Sequence, residues 1–470
     1  MTDRRNKLST KVKLGYGIGS LSYGIPFQLV SSLFVFFSTE VLGLSGVLTG
    51  ALVFVSTIWD AVTDPIMGYI SDHTNKKILL GRRLFYVLIG SVGLALCSLL
   101  LWQVDASLPY LTKAVILGLL LILLKTFSTV YTTPYMALGA ELSTDYNERT
   151  AVQSYRTAFF FLGFMFPAII GMAVFFRPTP EFPNGQLNPQ SYVSLSLVTS
   201  IITLVCAGIC TVLTYRNQAA YSVPKIKRNL LKGIYKETAE ALKCSDFRNV
   251  SLSLLFINMA MGIVGSVGMH IFTYTFCFDN RQIAIVFGAL FIMALIAQPF
   301  WLFIANKYEK KTALKACLMI NLIVTIFFVI AVIANPWVSE HYLIVLPLSM
   351  LMGFSMGGSI ALPYSMISDT IDKDAYYSGA RKEGVFYGCA TFMFKLSQSF
   401  SAMFVGSLLD IIQFDSRIVQ TPAVYLKLGM ILPVGFLICF VLALVFIKKY
   451  TLNREIVAKY QVGISDSTPQ

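Results

Sequence analysis

Long apolar stretches alternate with short polar ones along the whole chain. Twelve apolar segments stand out, near positions 14–39, 46–71, 83–103, 109–138, 151–176, 191–215, 250–277, 282–305, 313–334, 342–368, 384–412 and 424–447. Each is close to the roughly 20 residues a helix needs to cross a hydrocarbon core. The pattern predicts an all-α membrane protein with 12 transmembrane helices. The polar breaks alternate in kind. Every second one, together with both tails, carries most of the 37 Lys and Arg residues. The opposite breaks hold only Lys113, Arg177, Arg281, Arg417 and Lys427, while Lys125, Arg156 and Lys395 fall inside spans. Basic loops stay on the cytoplasmic side, so both termini are expected in the cytoplasm.

Composition sharpens this picture. Of 470 residues, 56% are hydrophobic and 13% charged, and the mean hydropathy is +0.69. Soluble domains carry about 25% charged residues. The net charge of +13 would fit a nucleic-acid partner if it were clustered, but it is spread over the loops of one side. The eight cysteines are scattered, mostly in apolar segments, with no CxxC pair and no disulfide framework. His73, His270 and His341 lie in different segments, so no catalytic cluster forms and an enzyme is not expected. The N-terminus is basic up to Lys13. The apolar stretch after it is too long for a signal-peptide core and reads as a retained first helix.

The polar, basic stretch 216–248 divides the chain into an N-terminal half (1–215) and a C-terminal half (249–450), followed by a tail (451–470). Within it, Leu230 to Lys243 has helix-period amphipathicity, as in a helix lying on a membrane surface or in a solvated linker. The halves echo one another. A short polar-basic loop follows the second segment of each, from Gly68 through Asp72 to Lys77 and from Ile304 to Lys311. Duplicated six-helix halves enclosing a central site make the major facilitator architecture.

Asp60 and Asp64 carry the chemistry. Between Gly46 and Ile70 they are the only charged residues. Four residues apart on a helix, they share one face. Charges inside a bilayer are costly and mark ion or substrate pathways; the alternative is an inter-helix salt bridge that locks a bundle. Pro65 removes a helix hydrogen bond and frees the Ala61 carbonyl. Two carboxylates, the Thr63 hydroxyl and that carbonyl form an oxygen-rich niche for a hard cation. Lys125, mid-way along the fourth segment and one turn before Thr129, has two readings. It faces the carboxylates as a tethered cation, or it reaches an aqueous vestibule.

The segment Asp60-Ala-Val-Thr-Asp64-Pro-Ile-Met-Gly68 resembles the second-helix signature of the glycoside–pentoside–hexuronide:cation symporters, the melibiose permease-like group. Tyr16-Gly17-Ile-Gly19, Pro134-Tyr135 through Glu141, Asp145 through Arg149, and Ile367 through Gly384 fit the same family. The resemblance implies a cation-coupled symporter of a sugar or glycoside, working by alternating access in a bacterial inner membrane. It implies a monomer with Na+ or H+ as coupling cation and no other cofactor. It places the cation at Asp60, Thr63, Asp64 and Thr129, with Asp60 and Asp64 as metal ligands and Lys395 as their counter-charge. It places substrate near Tyr23, Gln28, Tyr131, Thr132, Met136, Arg156, Thr391 and Lys395. Asp72 and Arg149 join Lys125 and Lys395 as coupling or gating residues. Arg156 also reads as a snorkelling interfacial arginine. The family's two sugar-gripping carboxylates fall here at Gly24 and Thr132, and a sugar-site tryptophan falls at Met136. A galactoside site is therefore depleted. The same motifs resemble sodium–lysophosphatidylcholine symporters, and a lining of Tyr23, Phe27, Tyr131, Tyr135, Phe159, Phe392 and Met136 suits an amphiphile or serves only packing. A passive uniporter with Lys125 as its fixed cation is a third reading.

Overall fold

The computed structural model is described at residues 8–74, 80–81, 83–142, 146–217, 242–378, 383–414 and 420–467. The amphipathic stretch expected from Leu230 lies outside these residues as far as position 241, and the side chains of Asp72 and Arg149 also lie outside them. Among the described residues every regular element is a helix.

The chain divides into two compact units, Met1–Ile226 with Asp279–Ala284, and Lys227–Phe278 with Ile285–Gln470. The first unit opens with α1, a nearly continuous run of Thr10–Gly19, Leu21–Phe36 and the π-helical Phe37–Val41. It continues with α2 (Gly46–His73), α3 (Leu84–Leu101), α4 (Tyr110–Glu141), α5 (Tyr146–Met165, extended by π-helical Phe166–Phe175) and α6 (Pro189–Thr214). The second unit holds α7 (Ser245–His270, extended by π-helical Ile271–Thr275), α8 (Asn280–Tyr308) from Ile285 onward, α9 (Lys310–Ile333), α10 (Val345–Ser378), α11 (Glu383–Ile411), α12 (Pro422–Lys448) and a C-terminal α13 (Arg454–Ser467). The first helix of each unit ends in five π-helical residues, a shared detail that fits the duplication read from the loops.

Eleven helices among the described residues are long and apolar enough to cross a membrane. The expected twelfth, α11, has the length, at 29 residues, but not the apolarity. Lys395, Ser397, Gln398, Ser399 and Ser401 fall in its middle and dilute it. Large apolar side chains such as Leu111, Val212 and Ile296 stand mostly exposed, as expected of surfaces that face lipid.

Within the first unit, small and hydroxylic residues let helices approach closely, the usual packing device in membranes. A Cβ on Gly90 of α3 would fall 2.6 Å from the Tyr131 nitrogen of α4, so only glycine permits that contact. Ser22 donates to the Thr203 carbonyl at 2.9 Å and Ser20 to the Arg156 carbonyl at 2.8 Å, tying α1 to α6 and α5. Both helices that carry the membrane-depth carboxylates and their partners start cleanly. Ser45 caps α2 by accepting from the Leu48 amide, and Pro109 precedes α4.

Candidate cation and substrate site

The site grows from the contact between α2 and α4. Asp60 and Asp64 lie one turn apart on α2, and α4 sets Thr129 opposite both. The Thr129 hydroxyl lies 2.7 Å from Asp60 Oδ1 and 2.9 Å from Asp64 Oδ1. A hydroxyl has one proton to donate, so one donor is shared between two carboxylates. Asp60 and Thr129 are almost wholly buried, at 4% and 1% exposure, and Asp64 is half-buried. Thr63 turns its hydroxyl back to the Asp60 carbonyl at 3.2 Å, which leaves its oxygen as an acceptor beside the pair. On the outer side of the contact, the Trp59 indole donates to Thr126 at 2.8 Å and pins α2 to α4.

Lys125 points inward. Its Nζ lies 3.9 Å from Asp60 Oδ2 and 5.8 Å from the centre of the Phe27 ring on α1. The vestibule reading of Lys125 therefore gives way to the reading in which it faces the carboxylates. The distance is that of an ion pair without a direct hydrogen bond. The two carboxylates, the threonine and the lysine thus form one cluster at membrane depth. Among the described residues no group of three or more His, Cys, Asp or Glu converges on a metal position. The donor set at the cluster is hard oxygen throughout, the type that suits alkali cations.

A second feature of this unit lies between α1 and α5. The Arg156 guanidinium faces the hydroxyl of Tyr23 and, further off, those of Tyr16 and Tyr135. Its Nε is buried without a hydrogen-bond partner among the described residues. Tyr23 stacks on Phe160 with ring centres 5.0 Å apart, and Phe27 stacks on Phe164 at 5.6 Å. An aromatic wall therefore runs from Arg156 to Lys125. At Gly24 a Cβ would come within 3.1 Å of the Phe160 ring, so the wall itself occupies the space a carboxylate would need there.

The other expected residues are spread unevenly. Tyr131 is wholly buried and donates to the Gly19 carbonyl at 2.7 Å. Tyr135 is wholly buried, stacks on Tyr16 at 4.6 Å and donates to the Tyr16 carbonyl. Both stand behind Tyr23 as packing and present no open surface in this conformation. Phe159 packs against Gly17, and it is Phe160 and Phe164 that meet Tyr23 and Phe27. Gln28 is buried, Thr132 half-buried and Met136 44% exposed. Thr391 and Lys395 belong to α11 in the second unit, where exposed Thr391 donates to the Tyr387 carbonyl at 3.0 Å and Lys395 is half-buried. Phe160 and Phe164 were not anticipated from the sequence. The signal was present, because Arg156, Phe160 and Phe164 recur at four-residue spacing on one face of α5.

The relatives agree with this architecture. The family model for MFS/sugar transport proteins matches residues 15–454. The Escherichia coli (strain K12) protein YagG, provisionally named a glycoside/cation symporter, is 26% identical over 87% of this chain and 85% of its own. A sodium-dependent lysophosphatidylcholine symporter 1-A of Danio rerio is 24% identical over 96% of this chain and 88% of its own. Among solved structures, a bacterial homologue of the human lysosomal transporter Spinster superposes with a TM-score of 0.66 at 13% identity, covering 98% of both chains. A D-xylose–proton symporter gives 0.60 at 14% identity, covering 91% of this chain and 96% of its own. These likenesses show the major facilitator fold. The chain is a multi-pass membrane transporter, not an enzyme, and it belongs to the MFS/sugar transport family, in its glycoside–pentoside–hexuronide:cation symporter branch.

Proposed function

We propose that the protein is a cation-coupled secondary transporter that carries a sugar or glycoside by alternating access. The observation that carries this reading is the Thr129 hydroxyl bridging Asp60 and Asp64 inside a membrane-spanning helix pair. Two adjacent carboxylates are costly at that depth unless a cation offsets them during the transport cycle. The oxygen cluster then supplies the ion site, and the aromatic wall of Tyr23, Phe27, Phe160 and Phe164 with Arg156 supplies a surface for the cargo. The proposal includes a monomer in a bacterial inner membrane, with both termini cytoplasmic, a coupling cation as co-substrate and no nucleic-acid partner. Support for the sugar comes from similarity to YagG and from the family model.

One observation favours a second cargo, an amphiphile such as a lysophospholipid. The wall is aromatic, and the positions of the family's two sugar-gripping carboxylates are filled by Gly24 and half-buried Thr132. Similarity to the zebrafish lysophosphatidylcholine symporter points the same way. Counterflow into proteoliposomes of the purified protein tests both. Exchange of a labelled glycoside supports the first cargo, exchange of a lysolipid supports the second, and exchange of neither overturns the transport reading for both classes. Melibiose binding at micromolar affinity in calorimetry would show that galactoside recognition does not need carboxylates at the positions of Gly24 and Thr132.

A further inference from the structure

We propose that the Lys125 ammonium is a built-in occupant of the cation niche, so that the unaltered protein neither binds nor requires sodium there. The inference rests on the reading of Asp60, Asp64 and Thr129 as that niche.

Three observations carry it. Lys125 sits on the same helix as Thr129, one turn earlier, and projects toward α2, with Nζ 3.9 Å from Asp60 Oδ2. Its side chain is only 16% exposed and is covered by the Phe27 ring of α1 at 5.8 Å, so it does not lead out to lipid or bulk water. Two further oxygens of the cluster, Asp60 Oδ1 and Asp64 Oδ1, lie within hydrogen-bond distance of the one Thr129 hydroxyl. Among the described residues of the first unit, Asp60 and Asp64 from α2 and Lys125 from α4 meet here as charged groups, while α1 contributes an aromatic face. A sodium ion placed among these oxygens would lie near a second positive charge. At about 4 Å and the effective dielectric of such sites, that repulsion weakens binding by roughly a thousandfold. The tethered ammonium also competes at the high effective concentration of a linked group.

The experiment measures thermal unfolding of the purified full-length protein in detergent, with sodium chloride exchanged for choline chloride at constant ionic strength. Wild type, Lys125→Gly, Lys125→Gln and Lys125→Arg are compared. The expected result is a wild type and a Lys125→Arg variant whose midpoints ignore sodium. Lys125→Gly and Lys125→Gln should gain a saturable upward shift of several degrees. Lys125→Gln retains a hydrogen-bond donor beside Asp60 and serves if the glycine variant does not fold. A purely structural lysine would lower stability on removal without creating an ion response. Sodium-dependent stabilisation of the wild type overturns the inference, and if Asp64→Asn abolishes that response the niche itself survives as an ordinary sodium site. Silence of both uncharged variants overturns it too, and concentrative uptake persisting in Asp64→Asn would then remove the niche reading as well.

Discussion

The two units each pair lysine with aspartate, but in different ways. In the second unit, Lys310 meets Asp369 at 2.6 Å and Lys373 meets Asp246 at 2.7 Å. Asp246 also accepts from the Thr451 amide at 2.7 Å and from its hydroxyl at 3.0 Å. Burial holds the Tyr450 phenol far above its usual range, so it stays protonated and donates to Asp369. The two ion pairs here are short and are supplemented by further hydrogen bonds, and the network ties α7, α9, α10 and the chain after α12 together. In the first unit, Lys125 stops 3.9 Å from Asp60, and a threonine bridges the carboxylates instead. The first arrangement is a clasp. The second sets a lysine and one shared threonine hydroxyl beside two carboxylates at membrane depth. The distinction lies in the groups that meet the carboxylates, since each region holds one almost wholly buried carboxylate: Asp246 is 2% exposed and Asp60 4%.

The largest effect is expected at the loose cluster. Asp64→Asn should abolish concentrative uptake in proteoliposomes while the protein still purifies in a folded form, because Lys125 and Thr129 continue to offset Asp60. Full accumulation by this variant would erase the contrast between cluster and clasp. Next comes Thr129→Val, which keeps the shape and removes the bridging hydroxyl. A hydrogen bond to a charged group contributes about 1.5–3 kcal/mol, so uptake at fixed ion concentration should fall by roughly ten- to a hundredfold. Thr129→Ser should restore most of it. Equal transport by the valine variant would mean that the bridge has no part in coupling.

Most of the fold was legible in the sequence, because apolar runs and the bias of basic loops are dictated by the bilayer itself. α11 was legible too, near 384–412, although Lys395 and its polar neighbours dilute its apolarity below that of the other eleven. Asp60, Asp64 and Lys125 were legible as charges at the wrong depth, and Thr129 through the family resemblance. The direction of Lys125 was not, since a lysine stem is long enough to reach either a vestibule or the helix pair, and only packing against Phe27 decides. The difference between Tyr23, which meets Arg156, and Tyr131, which is walled in, was also hidden. Both are buried tyrosines in apolar helices, and the partner of each hydroxyl depends on which neighbouring helix it meets. The Asp246–Lys373–Thr451 clasp joins residues up to 205 positions apart, a pairing no local pattern encodes.

The clasp supplies the third prediction. Asp246→Ala removes the acceptor for Lys373 and for Thr451 together and should cost about 2 kcal/mol of stability, read as a lower thermal midpoint. Any response to coupling ions should be unchanged. A shift in ion dependence would show that the clasp takes part in coupling and that the two kinds of lysine–aspartate pair are not separate in role.

The smallest effect tests the proposed division, within the first unit, between aromatics that face cargo and aromatics that only pack. Tyr131→Phe removes one buried neutral hydrogen bond, from the phenol to the Gly19 carbonyl, and leaves the ring in place. Such a bond contributes about 1 kcal/mol, so a modest fall in the thermal midpoint is expected. The apparent affinity for any transported solute should stay within about twofold, because the ring is wholly buried and has no surface for cargo to touch. Tyr23→Phe is the matched comparison. Its hydroxyl faces the Arg156 guanidinium, so its loss should weaken solute affinity more than it weakens the fold. The two variants are read in one titration series by solute-dependent thermal shift. If Tyr131→Phe lowers affinity as much as Tyr23→Phe does, then Tyr131 reaches the cargo in another state of the transport cycle. The aromatic wall would then be a moving part rather than a fixed backing.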